Sequence, residues 1–135
     1  MRVLHSLVYL WTLPTTLVGV PLTLAALLSG GGVQWVDGVL EAYGGLAALY
    51  LRWVVGIFLD GGASAMTLGH IVIGLDRQTL KATRTHERVH VRQAERWGPF
   101  FIPAYLGASV IQLLRGKRAY LDNPFERQAY DGADE

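Results

Sequence analysis

The sequence predicts an α+β protein with an N-terminal transmembrane or membrane-associated helix, a small antiparallel sheet, and two further helices that carry polar motifs. Three observations predict this arrangement. Charged side chains are scarce in the first 59 residues, which hold only Arg2, Asp37, Glu41 and Arg52, whereas the remaining residues hold nineteen. Short β-prone runs bounded by glycine follow the first apolar run. The second half then contains a long polar segment with helical periodicity.

Composition limits the class of protein. The chain has 135 residues, 51% of them hydrophobic and 17% charged, with no cysteine and a formal net charge of +1. One domain is the expectation for this length, and an apolar fraction this high excludes a disordered chain. The absence of cysteine excludes disulfides, thiolate metal sites and thiol catalysis. The small net charge gives no reason to expect a nucleic-acid partner.

The first apolar run predicts the membrane helix. Residues 7–28 contain no charged side chain, and about 20 such residues are enough for a helix to cross a hydrocarbon core. Pro14 and Pro21 would bend the helix, which membrane spans tolerate. We therefore expect a membrane anchor over residues 1–31 and a small second domain over residues 32–135. The alternative is a pair of buried core helices that break at the prolines.

Strands are predicted after the anchor. Asp37-Gly38 separates two β-prone runs, which is a hairpin signal because glycine accepts a positive φ in a two-residue turn. Residues 46–59 form a second apolar run that is short for an independent span, and Asp60-Gly61-Gly62 is a predicted loop. Residues 65–75 predict one strand from their β-branched content. On that strand His70 would share a face with Met66, Leu68 and Val72.

A helix is predicted over residues 76–97, with Asp76 as its N-cap and Gly98-Pro99 as its stop signal. At 100° per residue its side chains divide into two faces. The basic stripe consists of Arg77, Lys81, Arg84, Arg88, Arg92 and Arg96. The opposite face consists of Thr79, Thr83, His86, His90, Gln93 and Trp97.

Residues 86–90 read His-Glu-Arg-Val-His, which is the HExxH pattern. Residues i and i+4 lie one helical turn apart, so the imidazoles of His86 and His90 can converge on one zinc ion. Glu87 is rotated by about 100° from His86 and projects beside the metal. There it can accept a proton from zinc-bound water and pass it to a leaving amine.

A third ligand is expected, since zinc hydrolases use three protein ligands and leave the fourth position to water. The candidates are His5, His70 and the acids near the C-terminus. The metzincin pattern HExxHxxGxxH is absent, because Gln93 stands where its glycine would be and Arg96 where its third histidine would be.

Glu126 is the favoured third ligand, and His70 is the second choice. Asn123 and Pro124 predict the start of a helix. Glu126 lies on the first turn of that helix, on the same face as Tyr130. The alternative is a capping box, in which Glu126 only bonds the backbone amide of Asn123.

The HExxH motif, with Glu126 placed 36 residues after His90, resembles the gluzincin group of zinc metallopeptidases. The stretch THERVHVRQAERWGPFFIPAY, followed by NPFERQAY, also resembles small bacterial membrane-associated proteins of unassigned function. The resemblance implies that residues 32–135 are a small zincin-like metallopeptidase domain, with His86, His90 and Glu126 as zinc ligands and Glu87 as base. It also implies an edge strand at residues 65–73 that holds an extended peptide by β-augmentation.

The sequence departs from the gluzincin pattern at one position. Gluzincins often place an acid four residues after the third ligand to support a zinc-bound histidine, and here that residue is Tyr130, with Asp131 one position off register. Loss of such a supporting group lowers metal affinity or activity about 10- to 100-fold. The sequence does not identify the supporting group in this chain. The candidate donors to an oxyanion are Tyr130, Tyr120, Tyr105 and His70. Tyr130 is favoured by its closeness to Glu126.

Residues 99–114 carry no charge, and Pro103 predicts a helix from residue 104 to residue 114. This helix either packs as core against the HExxH helix or enters the bilayer. A small domain needs internal apolar surface, which favours the first interpretation. Residues 115–118 end the helix, and residues 131–135 are a predicted polar tail.

The basic stripe has two interpretations. It is either a solvated helix face or a surface attracted to anionic lipid, at about 1 kcal/mol for each basic residue near the membrane. Nucleic acid is not expected, because no aromatic platform or reader motif accompanies the stripe. With residues 7–28 as the one span, the positive-inside rule places the domain outside the cell. A second span at residues 46–59 would return the domain to the cytoplasm.

We expect a bacterial membrane protein, and three functions are open. The first is a membrane-associated zinc peptidase that hydrolyses peptide bonds through a zinc-activated water. The second is a non-enzymatic zinc-stabilised membrane or interaction module, in which the metal holds a small core together. The third is a membrane structural protein in which the HExxH motif occurs by chance. Zinc binding separates the first two from the third.

Overall fold

The structure is a computed structural model that describes residues 2–57 and 62–133, with the side chains of residues 6–56 and 62–132. The fold is α+β, as predicted. The helices are α1 (Arg2–Leu28), α2 (Gly45–Leu49), α3 (Arg77–Trp97), α4 (Phe101–Leu114) and α5 (Pro124–Ala133). The strands are β1 (Gly32–Val36), β2 (Val39–Tyr43), β3 (Ala65–Leu68) and β4 (Ile71–Gly74). Asp60 and Gly61 of the predicted loop lie outside the described residues, as does the side chain of His5.

The four strands form one mixed sheet in the order β1-β2-β4-β3, so the prediction of an antiparallel sheet was wrong. Strands β2 and β4 are parallel, whereas β1–β2 and β3–β4 are antiparallel. Burial explains which strand takes the interior position. All four residues of β4 are buried, whereas Ala65 and Met66 of β3 are half-buried. The more apolar strand therefore pairs on both sides, and β3 lies at the edge.

The hairpin predicted at Asp37-Gly38 is confirmed. Val36 pairs with Val39, and the two turn residues have φ values of 49° and 81°. Both central residues thus adopt the left-handed conformation of a type I′ turn, whose twist matches the flanking strands.

The single strand predicted over residues 65–75 is wrong, because the chain reverses at Gly69-His70. Leu68 pairs with Ile71 across this two-residue turn, and Gly69 has a φ of 67°. Glycine at the first central position suits a type II′ turn. His70 therefore lies in the turn and does not share a strand face with Met66, Leu68 and Val72.

Helix α1 packs on the sheet and on the end of α3. The Thr15 hydroxyl donates to the carbonyl oxygen of Gly98 at 2.7 Å, and the backbone nitrogen of His70 donates to the Thr16 hydroxyl at 3.0 Å. A Cβ atom at Gly69 would lie 2.7 Å from the backbone nitrogen of Thr16. The approach of helix to turn therefore requires glycine. The division into an anchor and a domain at residue 31 stays a prediction.

Two helical stretches of the described chain are long and apolar enough to cross a membrane by length and composition. They are Ser6–Leu28 and the run Arg77–Leu114. In the second, the apolar part is residues 99–114, since α3 carries the basic stripe. The outward face of α1 exposes large apolar side chains, among them Leu10, Leu17 and Leu24. Length and composition thus agree with a membrane-associated protein.

The predicted boundaries of α3 are confirmed, and those of the later helices are partly corrected. Asp76 accepts a hydrogen bond from the Thr79 backbone nitrogen at 2.7 Å, and Gly98 caps the other end. Helix α4 begins at Phe101, three residues earlier than predicted, because Pro103 fits within its first turn. Helix α5 continues to Ala133, so the polar tail predicted from residue 131 is helical over its first three residues.

Part of the basic stripe binds the sheet. Glu41 on β2 is 1% exposed and accepts hydrogen bonds from Arg84 and Arg88 at 2.8–3.1 Å. Burial raises the pKa of Glu41, but the hydrogen bonds from Arg84 and Gln34 outweigh it, so the pKa is lowered. The exposed members of the stripe are Arg77, Lys81, Arg92 and Arg96.

Candidate metal centre

Helix α3 presents the three polar side chains of the HExxH motif together. The potential ligand atoms of His86, Glu87 and His90 all lie within 4.8 Å of one another. Glu87 and His90 are buried, and the His86 side chain is 15% exposed. The spacing of one helical turn brings both imidazoles to the same side of α3.

Helix α5 brings Glu126 to the same point. Its Oε1 atom lies 3.1 Å from Nε2 of His86 and 3.0 Å from Nε2 of His90. Two ligands at about 2.0–2.1 Å from a tetrahedral zinc ion lie roughly 3.3–3.4 Å apart. The two distances from histidine to carboxylate are therefore about 0.3 Å shorter than those between ligands of a bound zinc ion.

The charge state of this triad follows from its hydrogen bonds. Burial raises the pKa of Glu126, but the hydrogen bonds from His86 and His90 outweigh it and lower the pKa to about 2. Burial lowers the pKa of His90, and its bond to Glu126 outweighs this effect and raises the pKa. The raised pKa of His90 favours a proton on its ring beside the Glu126 carboxylate. A divalent cation would replace that proton and satisfy the same three groups.

Gln93 fixes the orientation of His90. The amide nitrogen of Gln93 donates to the carbonyl oxygen of Phe125 at 3.0 Å and to Oε1 of Gln128 at 2.7 Å. Its Oε1 atom therefore faces Nδ1 of His90, at 2.8 Å, and must accept the proton of that nitrogen. In neutral His90 the lone pair is then on Nε2, toward Glu126, which is the tautomer that a metal ligand needs.

Glu87 lies beside the triad and not in it. It is 5% exposed, and its Oε2 atom is 3.9 Å from Nε2 of His86. The Thr67 hydroxyl on β3 lies 3.2 Å from both Oε1 and the backbone oxygen of Glu87. Burial is the main cause that raises the pKa of Glu87. A carboxyl with a raised pKa is suited to accept and release a proton near neutral pH.

Three tyrosines surround the triad. The Tyr105 hydroxyl on α4 donates to Oε2 of Glu126. The Tyr130 ring packs edge-on against His86, with 4.4 Å between ring centroids. Its hydroxyl lies 3.2 Å from that of Tyr120. Tyr105 is therefore committed to the carboxylate, whereas Tyr130 stands next to the partly open side of His86 and is 43% exposed.

The other ligand candidates lie elsewhere. Nε2 of His70 bonds Oε2 of Glu95 at 2.9 Å, and the His70 ring stacks on Tyr9 at 3.9 Å. Asn123 caps α5 by accepting from the Phe125 backbone nitrogen at 2.8 Å, as its N-cap role predicts. The Glu126 carboxylate faces the histidines, and the Asn123 backbone nitrogen donates to the Tyr120 carbonyl oxygen. The structure therefore does not contain the alternative capping box.

Three residues have roles around the triad that the sequence did not predict: Thr67 was not a candidate, Gln93 was placed only on the histidine face of the helix, and Tyr105 was a candidate only as an oxyanion donor. Gln93, Thr67 and Tyr105 each make a hydrogen bond to His90, Glu87 or Glu126. Gln93 is three residues after His90 on the same helix face, a spacing that could have indicated support for the ring. Thr67 and Tyr105 carry no local signal, because tertiary packing alone brings them there.

The donor set fits a small divalent cation. Two imidazole nitrogens and one carboxylate oxygen are ligands that zinc accepts, and the supporting bonds to His90 and Glu126 hold them in place. No family model matches the chain, and no curated protein and no solved structure is significantly similar to it.

Proposed function

We propose that this protein is a membrane-associated zinc-dependent peptidase. The observation that carries the proposal is the convergence of Nε2 of His86, Nε2 of His90 and Oε1 of Glu126 within 3.0–3.1 Å contacts, beside the Glu87 carboxylate. Two histidines one turn apart, a carboxylate from another helix and an adjacent acid match the gluzincin arrangement that the sequence resembles.

In this proposal His86, His90 and Glu126 hold the metal, and the chain supplies the groups that move protons. Bound zinc would supply Lewis acidity, which activates a water and polarises a peptide carbonyl. Glu87 accepts the proton of the attacking water and transfers it to the leaving amine. Its burial next to Thr67 favours this role, because a carboxyl in a low-dielectric position holds the proton between the two transfers.

Tyr130 is the proposed donor to the carbonyl oxygen as negative charge develops there. Its ring contacts His86, and its hydroxyl is shared with Tyr120 and not with the carboxylate triad. Removing one such donor costs about 100- to 1,000-fold in kcat where it has been measured in hydrolases. Tyr105 has the different role of orienting Glu126.

The membrane part of the proposal assigns α1 and the basic stripe to lipid. The outer face of α1 exposes leucines that match hydrocarbon, and α4 adds Leu106, Val110 and Leu113. Arg77, Lys81, Arg92 and Arg96 remain exposed for anionic headgroups, since Arg84 and Arg88 bind Glu41. The substrate is a peptide or protein.

One observation favours a second candidate, a zinc-stabilised module without catalysis. Glu87, His90 and Glu126 are each 4–5% exposed, so His86 and Tyr130 form most of the accessible surface. Structural zinc sites are closed in this way, whereas catalytic sites keep an open position. In that case the metal would stabilise the packing of α5 on α3.

Measurement of zinc and of peptide cleavage tests both candidates. Purified protein, Glu126→Ala, Glu87→Gln and the control Asp131→Asn are compared for bound zinc and for cleavage of a peptide library in lipid nanodiscs. The peptidase proposal expects about one zinc per chain, lost in Glu126→Ala and retained in inactive Glu87→Gln, with the control unchanged. Zinc without cleavage would support the structural module. Wild-type protein that binds no zinc would refute both.

A further inference from the structure

The two faces of α1 have the reverse of the distribution that is usual in a soluble protein. The residues that face the protein are small or carry a hydroxyl group, namely Thr12, Thr15, Gly19, Thr23 and Ala26. The outward residues include the large apolar side chains of Leu10, Leu13, Leu17, Leu24 and Leu27. In a soluble protein the apolar stripe of a surface helix faces the core. The outer face of α1 therefore needs an apolar partner beyond the described residues.

A second apolar surface lies beside α1. The helical segment 45–57 consists of α2 and the turns that continue it, and α2 packs against α1. The exposed apolar residues of this segment include Leu46, Leu49 and Trp53. Neither α1 nor the segment contains an acidic residue. We call the outer surfaces of α1 and of this segment together the apolar face. At 1.5 Å per residue the segment is about 20 Å long, too short to cross a hydrocarbon core of about 30 Å.

The sheet separates the apolar face from α3. On β4, Ile71 and Ile73 belong to the same apolar cluster as Ala26 of α1. Val72, which lies between them in the strand, packs with Leu80 of α3. Successive residues of a strand point to opposite faces of the sheet. One face of the sheet is therefore covered by α1 and the segment 45–57, and the other by α3.

Contacts between α1 and the rest of the protein extend along the helix. Near its start, the Tyr9 hydroxyl donates to the Gly38 carbonyl oxygen in the β1–β2 turn. At its middle, a Cβ atom on Gly19 would lie 3.2 Å from Leu68 of β3. Near its end, Ala26 is fully buried. Tyr9 and Ala26 are about 25 Å apart along the axis, so the sheet accompanies α1 over most of the thickness of a hydrocarbon core.

This docking is incompatible with an α1 that crosses the bilayer. The edge strands of the sheet are β1 and β3. With α1 upright, β3 would lie at the depth of the hydrocarbon beside Gly19. Open sheet edges do not occur there, because their backbone groups find no hydrogen-bond partner in lipid.

We propose that α1 lies in the plane of the membrane surface and does not cross it. The apolar face inserts into one leaflet, to the depth of about 5–10 Å that is usual for interfacial helices. Trp11 and Trp53 are exposed and suit this depth, since tryptophan prefers the boundary between headgroups and hydrocarbon. The long side chain of Arg52 reaches the headgroups.

The partner of the apolar face is thus the lipid surface, and both ends of α1 lie on the same side of the bilayer. This inference rests on the membrane association proposed above and on nothing in the metal centre. A test of depth and orientation therefore needs neither zinc nor cleavage.

Depth measurement by spin labelling tests the orientation. The chain contains no cysteine, so Leu10→Cys, Leu17→Cys and Leu24→Cys each carry one nitroxide on the outer face of α1. The accessibility of each label to oxygen and to a water-soluble nickel complex gives its depth in phosphatidylcholine vesicles. Equal depths are expected, because a helix in the plane keeps one face at one level. Leu49→Cys should lie at the same depth, and the control Gln78→Cys on α3 should lie in water.

A helix that crosses the bilayer gives a different profile. Leu17→Cys would then lie about 10 Å deeper than Leu10→Cys and Leu24→Cys, and that profile overturns the proposal. Labels in water at every position would refute the membrane association itself, and this inference with it. Spin–spin broadening would identify a second copy of the chain on the apolar face and would also overturn the proposal. Circular dichroism checks that each labelled variant is folded.

Leu49→Lys separates the two arrangements by a second measurement. With α1 in the plane, the segment 45–57 contributes to binding, so the new charge should weaken partition onto phosphatidylcholine vesicles at least about tenfold. An α1 that crosses the bilayer would anchor the protein by itself, and unchanged partition would overturn the proposal. Gln78→Lys adds the same charge to α3 and is the matched control, which should partition as the wild type does.

Discussion

Gln93 accepts a hydrogen bond from Nδ1 of His90 at 2.8 Å while its amide nitrogen donates to the carbonyl oxygen of Phe125 at 3.0 Å. Phe125 precedes Glu126 in the chain. One side chain on α3 thus orients a histidine and also positions the first turn of α5, which carries the carboxylate. In the proposed zinc site, the support for His90 that the sequence did not identify would come from within the HExxH helix.

Gln93→Leu should therefore weaken zinc binding about 10- to 100-fold, the usual effect of losing a group that orients a metal ligand. Competition with a chromophoric chelator measures the affinity. Gln78→Leu, an exposed change on the same helix, is the control and should bind zinc like the wild type. Gln93→Glu keeps the acceptor for His90 and should retain more affinity than Gln93→Leu. Equal affinities in all four proteins would contradict the assigned role.

Glu41→Gln should lower the free energy of unfolding by about 3 kcal/mol. This is the lower end of the range for breaking a buried ion pair, because Arg84 and Arg88 keep some exposure to water. Urea unfolding measures the change, with Asp131→Asn as a surface control. A loss no larger than in the control would show that the cluster does not hold α3 on the sheet.

The same residue predicts a pH dependence. The folded state lowers the pKa of Glu41, so its ionised form contributes stability above the unfolded value of about 4.3. That contribution is lost as the pH falls through the lower folded value. Unfolding curves between neutral and acidic pH should therefore converge for the wild type and Glu41→Gln. A constant difference across this range would contradict the prediction.

Gly69→Ala should destabilise the protein by about 1–3 kcal/mol, because the new Cβ meets the Thr16 backbone at a residue with a φ of 67°. Gly116→Ala is the matched control, since Gly116 has a φ of 73° and nothing within 4 Å of the added atom. The difference between the two in thermal unfolding isolates the contact between α1 and the turn. Equal losses would mean that backbone conformation alone is responsible.

Leu17→Lys and Leu24→Lys should reduce binding to lipid vesicles without unfolding the protein. Both side chains are about half exposed, at 54% and 53%, on the outer face of α1. A basic residue at the centre of a membrane helix costs about 2.5–3.5 kcal/mol on insertion scales. Vesicle flotation measures binding, and circular dichroism checks the fold. Gln78→Lys adds the same charge to α3 and, on vesicles of phosphatidylcholine that carry no net charge, should float as the wild type does.

Local signals account for the elements that could be predicted from the sequence. Asp37-Gly38 specifies its turn through two residues that both accept positive φ, and Asp76 specifies the start of α3 through its own side chain. The turn at Gly69-His70 is not evident from the sequence because strand-forming residues, Thr67-Leu68 and Ile71-Val72, flank it on both sides. The parallel pairing of β2 with β4 depends on contacts 31 residues apart, for example Leu40 with Ile71, which no local pattern encodes.

The residues of the candidate site also divide into those that local sequence patterns predict and those that depend on tertiary packing. Helical periodicity alone brings His86 and His90 together, and the scarcity of other acids pointed to Glu126. The contributions of Thr67 and Tyr105 depend on β3 and α4 packing beside α3 and α5. Nothing in the local sequence distinguishes Thr67 or Tyr105 from other threonines and tyrosines, so their roles are recognised only from the fold. His70 illustrates the converse, since a chemically suitable histidine is excluded by its position in a turn.

The hydrogen bonds that hold α1 also constrain how the protein is made. The hydrogen-bond partner of Thr15 is Gly98, 83 residues later in the chain, and that of Thr16 is His70, 54 residues later. A ribosome therefore releases α1 long before Gly98 exists, and the inner face of the helix has no protein partner during most of synthesis. Contacts of such long sequence separation form slowly. Under the proposed membrane association, delivery of α1 to the bilayer would therefore precede its docking onto the sheet, and targeting and folding would be two successive steps.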